Sequence, residues 1–181
     1  MYTYSLFCET VKCRFVALEA MAKFDCMAIS PKQVQHTWKD GKMIDRVRDL
    51  LPGYLFLYSE DKLELSYCYS MAGVIRLLRT NNEAYELSGG DEAFAKMIYR
   101  RQGVLGKTPV YEEDQRIRLT EGAFAGLSAK ILRVDHRARR MQIELPFAGR
   151  LVKTWVEYEI TTPEMQDPLL SGEEKEKPDG E

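Results

Sequence analysis

Apolar and polar positions along the chain follow two different periods. The opening Tyr2 to Phe7 is short and aromatic-rich, which suits a strand. After Thr10, a suitable N-cap, apolar residues fall at Val11, Phe15, Leu18 and Ala22, with Val16 and Met21 widening the stripe. That spacing predicts a helix ending near Phe24. Cys26 to Ile29 reads as a short strand stopped by Ser30-Pro31. Val34, His36 and Trp38 then alternate up to Asp40-Gly41, a dipeptide whose backbone preference favours a tight hairpin. Leu50-Leu51-Pro52-Gly53 turns into Tyr54-Leu55-Phe56-Leu57-Tyr58, a nearly continuous apolar run expected to be buried on both faces of a sheet. Helices are expected from about Glu64 to Leu78 and from Asp91 to Arg101, the latter with Phe94, Met97 and Ile98 on one face.

Beyond Arg101 the grammar changes. Gly103, Gly106 and Pro109, followed by Glu112-Glu113-Asp114, read as a linker. The apolar period then drops to two. Ile117 and Leu119 alternate with arginines; Ala129, Ile131 and, after an irregular Leu132, Val134 follow; then come Met141, Ile143 and Leu145. Four or five short strands in so few residues bury a core only by curling into a small barrel. The expected organisation is α+β: residues 1–103 as a small sheet packed with helices, 104–113 as linker, 114–162 as barrel and 163–181 as an acidic disordered tail.

Charge supports that division. The chain of 181 residues carries a net −2, yet Pro163 to Glu181 holds seven acids against two lysines, leaving residues 1–162 at +3. With Met165, Leu169 and Leu170 as its only large apolar side chains, the tail cannot offset its ordering entropy by burial. No run reaches the ~18–20 apolar residues of a membrane span, and the first residues lack the features of a signal peptide. A cytoplasmic protein without a membrane partner is expected, and nothing suggests more than a monomer.

Little in the chain suggests catalysis. Gly106-Lys107-Thr108 resembles the end of a phosphate-binding loop, but Arg101 stands where the first glycine belongs and Pro109 blocks the following helix. His36 and His136 are far apart, and Cys8, Cys13, Cys26 and Cys68 form no CxxC pair. The expectation is a non-enzymatic protein with no cofactor and no metal, its cysteines serving as small apolar side chains.

Glu121-Gly122-Ala123-Phe124-Ala125-Gly126-Leu127, the strand ending in Val134-Asp135 and the return strand to Leu145 resemble a KOW motif, the module of NusG proteins and some ribosomal proteins. Phe147-Ala148-Gly149-Arg150 resembles, more loosely, the Phe-Gly-Arg that follows in bacterial NusG. Pro52-Gly53-Tyr54 entering an apolar strand, and the aromatic first strand running into a helix, resemble the NusG N-terminal (NGN) domain. The resemblance covers about 160 residues in the right order. It implies an NGN-like α/β sandwich followed by an SH3-like five-stranded KOW barrel.

The resemblance also implies function. A NusG-type bacterial transcription elongation factor docks on the clamp helices of the largest RNA polymerase subunit through an exposed apolar patch. The matching positions here are Tyr4, Phe7, Pro52, Gly53, Tyr54 and Phe56. The KOW turn carries Lys130, Arg133, Arg137, Arg139 and Arg140 against the single Asp135, with His136 alongside. Clustered arginines on a turn suit phosphate contact and guanine edges, and Arg150 and Lys153 on the next strand extend the surface. The arginine-rich turn and the eroded consensus around Ala129 and Phe147-Ala148-Gly149 resemble the specialised LoaP-type antiterminators, whose KOW domain is thought to bind a nascent leader RNA hairpin. The alternatives are a housekeeping NusG-type factor whose barrel binds Rho or a ribosomal protein, and a ribosome-associated RNA-binding protein.

Overall fold

A computed structural model describes residues 1–80, 84–113, 116–119, 124 and 127–161. The acidic tail and most of the Glu121–Leu127 motif, apart from Phe124 and Leu127, lie outside the described residues.

In chain order the elements are β1 (Tyr2–Cys8), a 3-10 turn at Thr10–Lys12, α1 (Cys13–Lys23), β2 (Met27–Ile29), β3 (Lys32–Lys39), β4 (Lys42–Asp49) and β5 (Tyr54–Ser59). A 3-10 segment at Leu65–Ser70, β6 (Val74–Leu77) and α2 (Gly89–Arg100) follow, then β7 (Val104–Leu105), β8 (Thr108–Glu113), β9 (Arg116–Arg118), β10 (Lys130–Asp135), β11 (Arg140–Phe147) and β12 (Arg150–Ile160). The fold is α+β. A four-stranded antiparallel sheet in the order β2-β5-β1-β6 stands beside a five-stranded barrel-like sheet, β10-β11-β12-β8-β9, and a three-stranded sheet, β4-β3-β7.

β5 is buried along its whole length, and its alternation assigns each side chain to one of two cores. Leu55 and Leu57, with Tyr4, Leu6 and Cys8 of β1, pack under Cys13, Val16 and Ala20 of α1. Tyr54, Phe56 and Tyr58 face the other way, onto Phe94, Ala95 and Ile98 of α2. That second core does not stop at α2. It continues without a break into Phe124, Met141, Ile143, Leu145, Phe147 and Val156 of the barrel.

The hairpin forms as expected: Asp40 and Gly41 both take positive φ (52° and 74°), and Trp38 pairs with Met43. The irregularity at Leu132 is a register shift between Ile131 and Arg133.

Three expectations change. First, of the stripe expected on α1 only Val16 faces inward. Val11, Phe15, Leu18, Met21 and Ala22 are exposed, while Cys13, Val16 and Ala20 are buried. Small side chains at those positions let the helix approach Leu55 and Leu57 closely, so the bulkier stripe is left outside. Thr10 makes no side-chain cap and instead opens a 3-10 turn. Second, no helix spans 64–78. Ser66 to Ser70 are indifferent helix formers and make only the 3-10 segment, after which Gly73 (φ 108°) reverses the chain. β-branched Val74 and Ile75 then open a strand that pairs along β1 through Cys8↔Val74, Phe7↔Arg76 and Leu6↔Leu77, with Ile75 at a register shift. Third, residues 104–113 carry strands where the sequence reads as linker. β7 adds to β3, and β8 lies parallel to β12.

Candidate nucleic-acid interface

The basic turn is built by a hairpin. β10 and β11 run antiparallel until Asp135 faces Arg140, leaving His136, Arg137, Ala138 and Arg139 to close the loop. Two local features hold it. The Asp135 carboxylate accepts from the Ala138 N–H at 2.9 Å, and Arg139 takes a left-handed backbone conformation (φ 50°). An aspartate fixing a turn through its own side chain is a familiar use of that residue. Tyr158 anchors the base: its N–H donates to Arg139 O at 3.0 Å, and its hydroxyl lies 3.4 Å from His136 Nδ1. His136, Arg137 and Arg139 are all exposed, and neither arginine has an ion-pair partner among the described residues.

Arg140 behaves differently. Its Nε lies 3.7 Å from Glu157, a carboxylate only 4% exposed. The same carboxylate accepts from the His36 N–H at 2.8 Å and meets His36 Nδ1 at 2.7 Å. Asp45 lies on the other side of that imidazole, 3.5 Å from Nε2. Glu157 is thus a junction between the β3–β4 hairpin and the barrel, with Arg140 supplying positive charge from the barrel side. A buried carboxylate needs such partners to remain charged.

Side chains on the barrel face opposite to Met141, Ile143 and Leu145 fall in rows across β10, β11 and β12, of which the row ending in Glu157 is covered by the β3–β4 hairpin. Register places Lys130, Glu144 and Lys153 in one row, Arg133, Gln142 and Trp155 in the next, and Asp135, Arg140 and Glu157 in the third. Lys153 pairs with Glu144 at 3.4 Å. Arg150 belongs elsewhere. It sits opposite Phe147 at the far end of the hairpin from Arg140, seven residues along β11, or about 23 Å at ~3.3 Å each.

The six residues matched to a polymerase contact divide between the two faces of the N-terminal sheet. Tyr4 packs in the α1 core, and its hydroxyl accepts from the Leu63 N–H at 3.2 Å. Phe7, Tyr54 and Phe56 lie on the opposite face. There the Phe7 and Tyr54 rings meet edge-on at 5.2 Å. Phe147 of the barrel covers this group, 5.8 Å from Tyr54 and 5.4 Å from Phe56. Burial pushes the Tyr54 hydroxyl up, partly offset by the Arg150 charge. Pro52 is exposed. Gly53 is buried at φ 85°, where an added Cβ would lie 2.7 Å from Cys8 O.

Polar contacts seal the same junction. Thr154 Oγ1 donates to Leu50 O at 2.6 Å, Gln33 Nε2 donates to Trp155 O at 2.7 Å, and the Ala148 N–H donates to Asp91 at 3.0 Å. Burial raises the Asp91 carboxyl, while the hydrogen bonds from Ala148 and Thr80 counter the shift. Sequence reasoning missed Glu157, Trp155 and Gln33. The only local signal was a glutamate between Val156 and Tyr158 on an otherwise half-buried strand.

Among the described residues no group of His, Cys, Asp and Glu could hold a metal, and no helix is long and apolar enough to cross a membrane. No family model matches this chain, and no curated protein matches it. A solved structure of Thermotoga maritima NusG, described as showing domain interaction, is similar over 86% of this chain and 93% of that one, at 14% identity and a TM-score of 0.48. The architecture described above rests on this chain's own strands and registers.

Proposed function

We propose that this chain is a NusG-type transcription factor of the antiterminator kind. It binds RNA polymerase through its N-terminal domain and a nascent leader RNA hairpin through its barrel, acting in the bacterial cytoplasm without covalent chemistry. The KOW and NGN resemblances support the family, and one observation supports the RNA. The β10–β11 turn holds His136, Arg137 and Arg139 exposed and without carboxylate partners, at the tip of a hairpin whose Lys130 and Arg133 also point outward. Such a cluster is suited to phosphate. The polymerase-binding unit is taken to run through β7 and the RNA-binding barrel to begin with β8 at Thr108, because those strands join the two sheets.

Polymerase contact through Tyr54 and Phe56 requires Phe147 to withdraw, because all three lie in one aromatic group. The proposed sequence of events is that the barrel lifts, the sheet face meets the clamp helices, and the freed barrel reaches the transcript.

The test is charge reversal at Arg137→Glu with Arg139→Glu. Arg140 is left alone because it serves the Glu157 junction. RNA hairpin affinity is expected to fall by at least tenfold, with a shallower salt dependence, while retention on immobilised polymerase is unchanged. Unchanged RNA affinity would remove the turn as the reader. A second reading, in which the barrel binds Rho or a ribosomal protein, is favoured by exposed Leu151 opposite exposed Pro146 on the outer barrel face. Leu151→Glu would then abolish capture of that protein and leave RNA binding intact.

A further inference from the structure

The row Arg133–Gln142–Trp155 has a composition that the basic turn lacks. These three positions are directly opposite one another across β10, β11 and β12, so their side chains leave the same face of the sheet. Trp155 is 39% exposed although it sits on a strand whose Val156 and Tyr158 are buried. Its backbone carbonyl is held by Gln33, whose amide donates to Trp155 O. Gln142 is half-buried between the two, and Arg133 is exposed with no ion-pair partner among the described residues. Two strand spacings, about 10 Å, separate Arg133 from Trp155.

Resting on the RNA-binding reading of the barrel, we propose that this row is a nucleotide-binding line for an unpaired base of the RNA. The indole stacks on the base, the Gln142 amide meets a base edge, and the Arg133 guanidinium meets the adjoining phosphate. Each role follows from chemistry. Every base has a π-face that an exposed indole can cover. An amide offers both a donor and an acceptor to a base edge. A guanidinium with no carboxylate to neutralise it is free for phosphate. The neighbouring row differs because Lys153 and Glu144 form an ion pair there. A uniform duplex keeps its bases stacked inside, so only a loop or bulge can use an indole this way. The turn therefore supplies charge, and the row supplies the preference for a looped RNA over a plain stem.

The test uses the full chain, a fluorescently labelled hairpin RNA with a hexanucleotide loop, and a blunt duplex of the same stem. Trp155→Ala is expected to weaken hairpin binding by about tenfold or more and leave duplex binding unchanged. Trp155→Phe, which keeps a ring, should retain most of the affinity. An independent measurement leaves position 155 intact: with only two tryptophans in the chain, Trp38→Phe makes fluorescence report Trp155 alone. The loop hairpin should quench that emission and shield it from acrylamide, and the duplex should do neither. If Trp155→Ala changes hairpin affinity less than twofold while the Arg137/Arg139 reversal abolishes it, the stacking line is wrong and the RNA reading stands. Equal losses on hairpin and duplex would also overturn the line. If neither variant changes RNA binding, the RNA reading fails and takes the line with it.

Discussion

Cys8 shows how far a single side chain's chemistry follows from its place in the fold. It closes β1 against the α1 core, and burial pushes its thiol up to about 12; Cys68, in the same core, rises to about 11. Thiolate is the reactive form, so both should be nearly inert at pH 8. Native protein treated with iodoacetamide at that pH is expected to leave Cys8 and Cys68 unmodified by mass spectrometry until denaturant is added. Rapid alkylation of Cys8 in the native state would contradict the packing. Part of this was legible beforehand, since four cysteines without CxxC spacing read as small apolar side chains. Gly53 shows the limit. Pro52-Gly53 read as a turn, but the Gly53 carbonyl accepting from the Cys8 N–H at 2.7 Å joins residues far apart in the chain, and no local pattern carries that contact.

At the scale of elements, local backbone chemistry proved readable and the choice of partner did not. Asp40-Gly41 specifies its own left-handed turn, so the β3–β4 hairpin could be placed from two residues. α1 was placed correctly as a helix, but of its expected stripe only Val16 faces the core, because Val11, Phe15 and Leu18 present as good an apolar face as Cys13 and Ala20. Only the sheet beneath decides between them. The choice can be measured. Val16→Ala, at a fully buried position, should cost about 1.5–3 kcal/mol in chemical unfolding. Phe15→Glu, at a position 70% exposed, should stay within about 0.5 kcal/mol. The reverse order would mean that the helix is rotated. The segment 64–78 failed for a related reason: Val74 and Ile75 suit either a helix flank or an edge strand, and the open edge of β1 selects the strand.

Across the whole molecule, the barrel and the N-terminal sheet share one core, and Phe147 is its keystone. Its ring lies within 6 Å of Tyr54, Phe56 and Phe94. Phe147→Ala is expected to cost about 3–5 kcal/mol of this packing. The loss should appear as a larger radius of gyration in small-angle scattering while both sheets keep their far-UV signature. An unchanged radius would show that the polar links at Glu157, Thr154 and Asp91 suffice to hold the two together. The order of the two sheets along the chain was evident from periodicity. Their docking was not, because Tyr54 and Phe56 read as a buried strand and a polymerase contact, Phe124 and Phe147 read as motif positions of the barrel, and nothing in the chain links the two sets.

That shared core also sets a timetable for synthesis. Phe56 leaves the ribosome about 90 residues ahead of Phe147. At roughly 5–20 residues per second, the part of the aromatic face that α2 does not cover waits roughly 5–18 s for Phe147. Through that interval each newborn copy presents to chaperones, neighbouring nascent chains and any waiting partner a surface that the finished protein conceals.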